Sequence, residues 1–102
     1  MKEISKEIYA IGIDQNFVII DLKSNDIQLK LNLFYILSDI TVYDNFILVM
    51  TELEILIITK IHFALVTKLA LPEFYATIEM NGQDVKFICV DGSEFDFNLS
   101  EI

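Results

Sequence analysis

The stretch Ile47-Leu-Val-Met-Thr-Glu-Leu-Glu-Ile-Leu-Ile-Ile-Thr59 decides the fold, because variants of it occur three times in the chain. Residues 9–21 align with residues 47–59 at an offset of 38, and residues 87–98 align with residues 48–59 at an offset of 39. Each copy has an apolar run, an acidic residue, a short turn and a second apolar run. This pattern predicts a repeated antiparallel hairpin.

The segments that flank the three hairpins repeat as well. Short alternating stretches precede the second and third copies, and further apolar stretches follow the first and second. The repeated unit is therefore predicted to be four short antiparallel strands. The units are residues 1–33, 38–71 and 75–99, and the third lacks its last strand. Together they form one all-β domain, residues 1–102.

The distribution of apolar residues predicts that these units stack as sheets. Residues 17–20, 46–49 and 55–58 are apolar at consecutive positions, which indicates strands covered on both faces. The final strand alternates instead, with Phe95 and Phe97 between Glu94 and Asp96. That alternation is typical of an end sheet with one face in water.

A second interpretation concerns residues 60–71. Ile61, Leu65 and Leu69 fall on one side of a 3.6-residue period, which favours a short helix there. The chain would then be a small β-sandwich or barrel whose periodicity only imitates a repeat. Periodicity alone does not separate the two interpretations for so short an apolar run.

The four-stranded unit resembles the blade of a β-propeller, including the WD-repeat group, although the Trp-Asp signature is replaced by Ile20-Asp21, Ile58-Thr59 and Phe97-Asn98. The resemblance implies a partial, half-propeller-like fold. Propellers close with four to eight blades, and this chain holds fewer than three. It therefore implies either several chains assembled into a ring, hence a homo-oligomer, or an open stack covered by another molecule.

Composition restricts the classes of partner. Sixteen acidic and seven basic residues give a net charge of −9, which repels phosphate backbones and attracts a basic protein. No apolar run approaches the ~20 residues of a membrane span, and residues 1–7 do not read as a signal peptide. A single cysteine, Cys89, suits a reducing compartment. We expect a cytoplasmic protein without nucleic-acid or membrane binding.

The sequence contains no recognisable catalytic or metal-binding pattern. His62 and Cys89 are its only histidine and cysteine, and its three glycines are isolated rather than grouped in a phosphate-binding loop. We expect His62 to be exposed and Cys89 to be a buried thiol. The chain is therefore predicted not to be an enzyme and to need no cofactor or metal.

Candidate binding residues follow from the predicted hairpins. Asp14, Glu52 and Asp91 occupy equivalent turns, which in blades emerge on one rim of the fold. Glu73 is expected on the same rim, and Tyr35 is a candidate aromatic anchor there. Asp44, a further candidate, is expected on the opposite rim.

Small size, acidity and the absence of a catalytic set resemble the bacterial immunity proteins that neutralise toxins, including those of contact-dependent growth-inhibition systems. This resemblance implies an inhibitor that covers the basic cleft of a nuclease-like toxin. The alternative is a propeller-type interaction module or a ring-forming binding protein.

Overall fold

Eleven strands account for most of the computed structural model, which describes residues 1–102. They form three antiparallel sheets in which strands consecutive along the chain are hydrogen-bonded neighbours. Sheet 1 contains β1 (Lys2–Ser5), β2 (Ile8–Ile13), β3 (Asn16–Asp21) and β4 (Asp26–Asn32). Sheet 2 contains β5 (Leu37–Tyr43), β6 (Phe46–Thr51), β7 (Glu54–Thr59) and β8 (Ala64–Ala70). Sheet 3 contains β9 (Tyr75–Asn81), β10 (Asp84–Cys89) and β11 (Glu94–Asn98).

Sheet 2 lies between the other two, and its central hairpin is buried on both faces. Alternate side chains of β6 and β7 point to opposite sides, as the period of a strand requires. Ile47, Val49, Leu56 and Ile58 pack against sheet 1, in a cluster with Ala10, Phe17 and Ile19. Leu48, Met50, Ile55 and Ile57 pack against sheet 3, in a cluster with Val85, Phe87 and Cys89. The predicted all-β class of tandem antiparallel units, partial-propeller-like, is confirmed.

Sheet 3 ends the stack with a short 3₁₀ turn, Leu99–Glu101, in place of a fourth strand. Leu99 is buried, and its backbone N–H donates to the carbonyl of Gln83 over 2.8 Å. In β11, Phe95 and Phe97 pack towards sheet 2 while Glu94 and Asp96 are exposed. The predicted single wet face of the last strand is confirmed.

The alternative helix over residues 60–71 is wrong, because these residues form a turn followed by β8. Ile57 pairs with Thr67 while Ile58 pairs with Leu65, so Val66 is an unpaired bulge residue. The bulge sends Leu65 to the cluster shared with sheet 1 and Leu69 to the cluster shared with sheet 3. The helical spacing of Ile61, Leu65 and Leu69 therefore combines a turn residue with two strand residues that face opposite clusters.

Two further expectations need correction. Strand β10 corresponds to β6 at an offset of 38, whereas β11 corresponds to β7 at the predicted offset of 39. The extra residue lies in the turn between β10 and β11. Residues 17–20 are not covered on both faces: Phe17 and Ile19 are buried, whereas Val18 and Ile20 are only half-buried. Their side of sheet 1 has no sheet against it.

Thr51 closes the central hairpin through its side chain. It is fully buried, its Oγ1 donates to the carbonyl oxygen of Glu54 over 2.7 Å, and it accepts from the N–H of Glu54 over 3.0 Å. Thr59, at the far end of β7, has a buried Oγ1 without a hydrogen-bond partner. The two threonines of one hairpin therefore differ in what their hydroxyls contribute.

Replacement of each threonine by the nearly isosteric valine tests this difference. Thr51→Val should lower the free energy of unfolding by about 1–2 kcal/mol, because two hydrogen bonds are lost and the Glu54 N–H is left unpaired. Thr59→Val should be neutral or slightly stabilising, because an unpaired buried hydroxyl is removed. Chemical denaturation of both variants measures the difference, and equal destabilisation would contradict this account of the hairpin.

Candidate functional site

The turns and linkers of the stack are distributed over two rims. The linker rim comprises the β2–β3, β6–β7 and β10–β11 turns and the two linkers between sheets, at residues 14–15, 52–53, 90–93, 33–36 and 71–74. The hairpin rim comprises the remaining turns, at residues 6–7, 22–25, 44–45, 60–63 and 82–83. This division follows from topology, because the last strand of a sheet and the first strand of the next meet at the rim where the central hairpins turn.

A continuous series of backbone hydrogen bonds joins the linker rim across all three sheets. The N–H of Leu37 donates to the carbonyl of Asp14 over 3.0 Å, and the N–H of Glu52 donates to Ile36 over 3.1 Å. Further along, the N–H of Tyr75 donates to Glu52 over 2.8 Å, and that of Val90 donates to Phe74 over 2.9 Å. The rim is therefore a fixed surface rather than a set of independent loops.

Asp14, Glu52 and Asp91 lie together on the linker rim. Asp14 has a left-handed backbone, with φ of 56°, which Asp tolerates better than most residues. The Asp91 carboxylate accepts from the Ser93 hydroxyl over 2.6 Å and from the Ser93 N–H over 2.9 Å. These hydrogen bonds, first that of the hydroxyl and then that of the backbone, hold the pKa of Asp91 below its usual value. Asp91 therefore keeps its negative charge in mild acid.

The linkers bring Glu73 and Tyr35 to the same rim. Glu73 lies in the second linker, and its Oε1 accepts from the N–H of Phe74 over 3.1 Å. Tyr35 lies in the first linker beside Phe34, with ring centroids 5.4 Å apart and planes tilted by 57°. A hydrogen bond of 2.9 Å from the Gln15 side chain to the Phe34 carbonyl fixes this linker.

Asp44 lies on the hairpin rim, away from the other five candidate residues. Its Oδ2 accepts from Nε2 of Gln83 over 3.3 Å, and the neighbouring Tyr43 hydroxyl donates to the carbonyl of Gly82. Asp44 thus takes part in joining the turns of sheets 2 and 3. His62 is exposed on the same rim and Cys89 is buried, as expected for both.

The structure adds an apolar component to the linker rim that the sequence did not indicate. Phe34 is 78% exposed and Val90 is 63% exposed, and the other members of this exposed set are Ile36 and Phe74. A usable signal was present in the sequence: apolar residues that occupy turns and linkers rather than strands cannot all fill the core.

Lysines are absent from the linker rim, which makes its charge uniform. Lys6, Lys23 and Lys60 lie in turns of the hairpin rim, and the other four lysines lie within strands. The linker rim therefore carries Asp14, Glu52, Glu73 and Asp91 with no basic side chain between them. Exposed apolar groups beside carboxylates without counter-charges are suited to a partner that is itself basic and partly apolar.

The surfaces outside the two rims have fewer features of a binding site. The largest depression, about 460 Å³, is a shallow open groove on the outer face of sheet 3, around Lys86 and its neighbours Glu79, Asp84 and Asp96. Glu94, 3.4 Å from the Lys86 ammonium, is the main cause of the raised pKa of that lysine. No group of three or more His, Cys, Asp or Glu side chains is arranged to hold a metal ion. No helix in the structure has the length and apolar character that crossing a membrane requires.

Comparison with known proteins supports the fold. No protein-family model matches the chain, and no curated protein matches its sequence. Among solved structures, the chain is similar to Sqt1 of Saccharomyces cerevisiae, a WD40-like protein, with a TM-score of 0.72 at 14% sequence identity. The similarity covers 91% of this chain and 28% of the Sqt1 chain. It shows a propeller-like fold and nothing beyond the fold.

Tyr75, at the junction of the second linker and β9, provides a pH test of this arrangement. Burial, and secondarily the charge of Asp39, raise its pKa from 10.0 to about 12. In spectrophotometric titration, one of the four tyrosines should therefore ionise last, and Tyr75→Phe should remove that step. Because the folded pKa exceeds the unfolded value, the stability contributed by neutral Tyr75 is complete below pH 10 and lost as the pH rises towards 12. The assignment of the last ionisation to Tyr75 would be contradicted if Tyr35→Phe lost that step and Tyr75→Phe kept it.

Proposed function

We propose that this chain is a non-catalytic, protein-binding protein of the immunity type, which binds and blocks a basic, nuclease-like toxin domain through the linker rim. The observation that carries the proposal is the composition of that rim: four carboxylates, four exposed apolar side chains and no lysine on one hydrogen-bonded surface. The protein acts by occupying its partner and needs no metal or cofactor. We place it in the bacterial cytoplasm, where the unpaired Cys89 thiol is compatible with the reducing conditions.

Electrostatics favour a basic partner. With a net charge of −9 and the lysines away from the linker rim, the field there attracts cations and repels nucleic acid. A nuclease cleft presents Lys and Arg side chains spaced for phosphates. Carboxylates held by a backbone-bonded rim can take the places of those phosphates, and the hydrogen bonds from Ser93, which lower the pKa of Asp91, favour its charged form further.

The apolar side chains favour a protein over a small ligand. Phe34, Ile36 and Val90 project into solvent from turns and linkers and do not enclose a cavity. Aromatic anchors beside desolvated charged groups are typical of protein interfaces in which a few residues supply most of the binding energy. A flat mixed surface of this kind can cover a cleft but cannot surround a metabolite.

A second candidate function rests on a different observation. The chain corresponds to only 28% of the Sqt1 chain, and one side of sheet 1 is apolar and uncovered. Both facts suit a propeller-type interaction module, or a chain that assembles with copies of itself. In that case, the partner would contact the uncovered sheet rather than the linker rim.

Matched charge reversals test the proposed function. Asp14→Lys with Glu52→Lys alters the linker rim, while Glu7→Lys with Asp26→Lys alters exposed positions outside it; Glu7 matches Asp14 in its positive φ of 64°. Each pair changes the net charge by the same amount. The partner in this test is the product of the neighbouring gene, which the proposal expects to be the toxin. The linker-rim pair should slow its association with the chain roughly ten- to a hundredfold at low salt and should abolish protection of cells from that product.

The control pair should retain most of the association rate and should still relieve toxicity. Surface plasmon resonance at two salt concentrations and growth of co-expressing cells provide the two measurements. The proposal is wrong if wild type neither forms a complex nor relieves toxicity, or if both charge reversals weaken binding equally.

Truncation of Phe34 tests the apolar part of the interface. Phe34→Ala should leave the free energy of unfolding nearly unchanged, because the side chain is 78% exposed. It should weaken partner binding by about 2 kcal/mol, or roughly 30-fold in Kd. Ile61→Ala is the matched control, since Ile61 is 72% exposed on the hairpin rim. Equal Kd values for the two variants would remove Phe34 from the interface.

A further inference from the structure

The outer side of sheet 1 is an apolar surface without a covering layer. We call this the open face; its centre is formed by five side chains that point away from sheet 2, namely Tyr9, Ile11, Val18, Ile20 and Ile27. Strand pairing places Tyr9 opposite Ile20, which in turn pairs with Ile27, and places Ile11 opposite Val18. The apolar residues are therefore contiguous across the three strands β2, β3 and β4.

The equivalent positions of sheet 2 form an interface between two sheets. At an offset of 38, the five positions of the open face correspond to Ile47, Val49, Leu56, Ile58 and Leu65. All five of those residues pack against sheet 1 in the first core cluster. The open face thus carries the residue pattern of an interface between sheets, at the end of the stack where no sheet follows.

Sheet 3 ends the stack in the opposite way. Leu48, Met50, Ile55 and Ile57 of sheet 2 face sheet 3, and the equivalent outward positions of sheet 3 hold Lys86, Ile88, Glu94 and Asp96. Three of the four apolar positions have become charged, and the Lys86–Glu94 ion pair lies among them. A charged outer face is what a terminal repeat needs in order to remain in water. The outer face of sheet 3 is therefore charged and unsuited to further stacking, whereas the open face of sheet 1 is apolar.

We infer that the open face binds the open face of a second copy of this chain, in a two-fold symmetric dimer. Head-to-tail stacking, which a closed ring requires, would place the open face against the outer face of sheet 3 and bury Lys86, Glu94 and Asp96 among isoleucines. Charges buried against apolar groups without further partners are strongly unfavourable. A symmetric contact instead places apolar residues on apolar residues, which is how isologous interfaces form.

The charges of the open face agree with this arrangement. Glu3 lies beside Tyr9 on the β1 edge, and Lys30 lies beside Val18 on the β4 edge, so the face is neutral within a chain of −9. A two-fold axis along the strands, as in aligned sheet packing, places β1 of one copy over β4 of the other. Glu3 of each copy then lies opposite Ile27 of the other, and Lys30 follows further along the same strand.

The size of the face sets the expected strength of association. Four strands about 4.8 Å apart and about 20 Å long give a footprint of roughly 400 Å² per copy. Two such footprints total roughly 800 Å², which is below the ~1,000 Å² of a stable specific interface and typical of weak, transient contacts. The dimer should therefore dissociate on dilution. The linker rims remain free in the dimer, and the inference therefore does not depend on the proposed function.

Sedimentation equilibrium from about 5 μM to about 500 μM tests the inference. Wild type should move from the monomer mass of 11.8 kDa towards twice that value as concentration rises. Ile11→Lys should remain monomeric at every concentration. Ile88→Lys, an equally half-buried position on the central strand of sheet 3, should associate as wild type does. A wild type that stays monomeric, masses beyond the dimer, or loss of association in Ile88→Lys would each overturn the inference.

Cysteine cross-linking keeps the test valid if Ile11→Lys fails to fold. In the symmetric dimer, Ile11 of one copy lies opposite Val18 of the other, so a mixture of Ile11→Cys and Val18→Cys chains should yield a disulfide-linked dimer under mild oxidation. A mixture of Ile11→Cys and Ile88→Cys should yield no disulfide between the two variants, because only head-to-tail stacking brings those two positions together. The native Cys89 is buried and does not compete. The reverse result would show head-to-tail stacking and refute the symmetric dimer.

Discussion

Burial of the β6–β7 hairpin on both faces is the constraint on which the rest of the structure depends. Each of the two core clusters takes residues from sheet 2 and from one other sheet. Sheets 1 and 3 therefore obtain their cores through the same two strands. Apolar burial contributes roughly 25 cal/mol per Å², and Ile47, Leu48, Ile57 and Ile58 are completely removed from water. A polar side chain at any of these positions would weaken the attachment of one outer sheet.

The same stacking explains why the acidic and apolar groups of the linker rim lie together. Central hairpins must turn, and linkers must cross between sheets, at a single rim of the stack. Substitutions in turns cost little packing energy, so that rim can carry charges and exposed aromatic groups that the strands cannot. The backbone bonds from Asp14 to Val90 then make these groups one surface. Its composition is the basis of the binding function that we propose.

Much of this organisation was accessible from sequence, and the failures have physical causes. The hairpin repeat correctly predicted the sheets. The equivalence of the turns correctly predicted that Asp14 and Glu52 lie on the same rim. The misassigned helix combined Ile61, which lies in a turn, with Leu65 and Leu69, which the bulge at Val66 sends to opposite faces of β8. Periodicity does not distinguish this arrangement from one face of a helix. The coverage of residues 17–20 was misjudged because their apolar pattern is the same whether or not another sheet lies outside them. Phe34 was missed because exposure depends on which side of a linker the chain turns.

The difference between the outer faces of sheet 1 and sheet 3 limits where a further sheet can pack against the stack. Positions that hold Leu48 and Ile57 in sheet 2 hold Lys86 and Asp96 in sheet 3, so no further sheet can be added there without burying charge. Sheet 1 keeps isoleucine and valine at the central positions that contact a neighbour in sheet 2, and the charged groups on that side, Glu3 and Lys30, lie on its edge strands. Addition at its outer side therefore buries no charge at the centre of the contact. Association can therefore proceed from one end only. In the dimer that we infer, pairing consumes the only apolar end that each copy has, so association would stop at two copies rather than continue into a polymer.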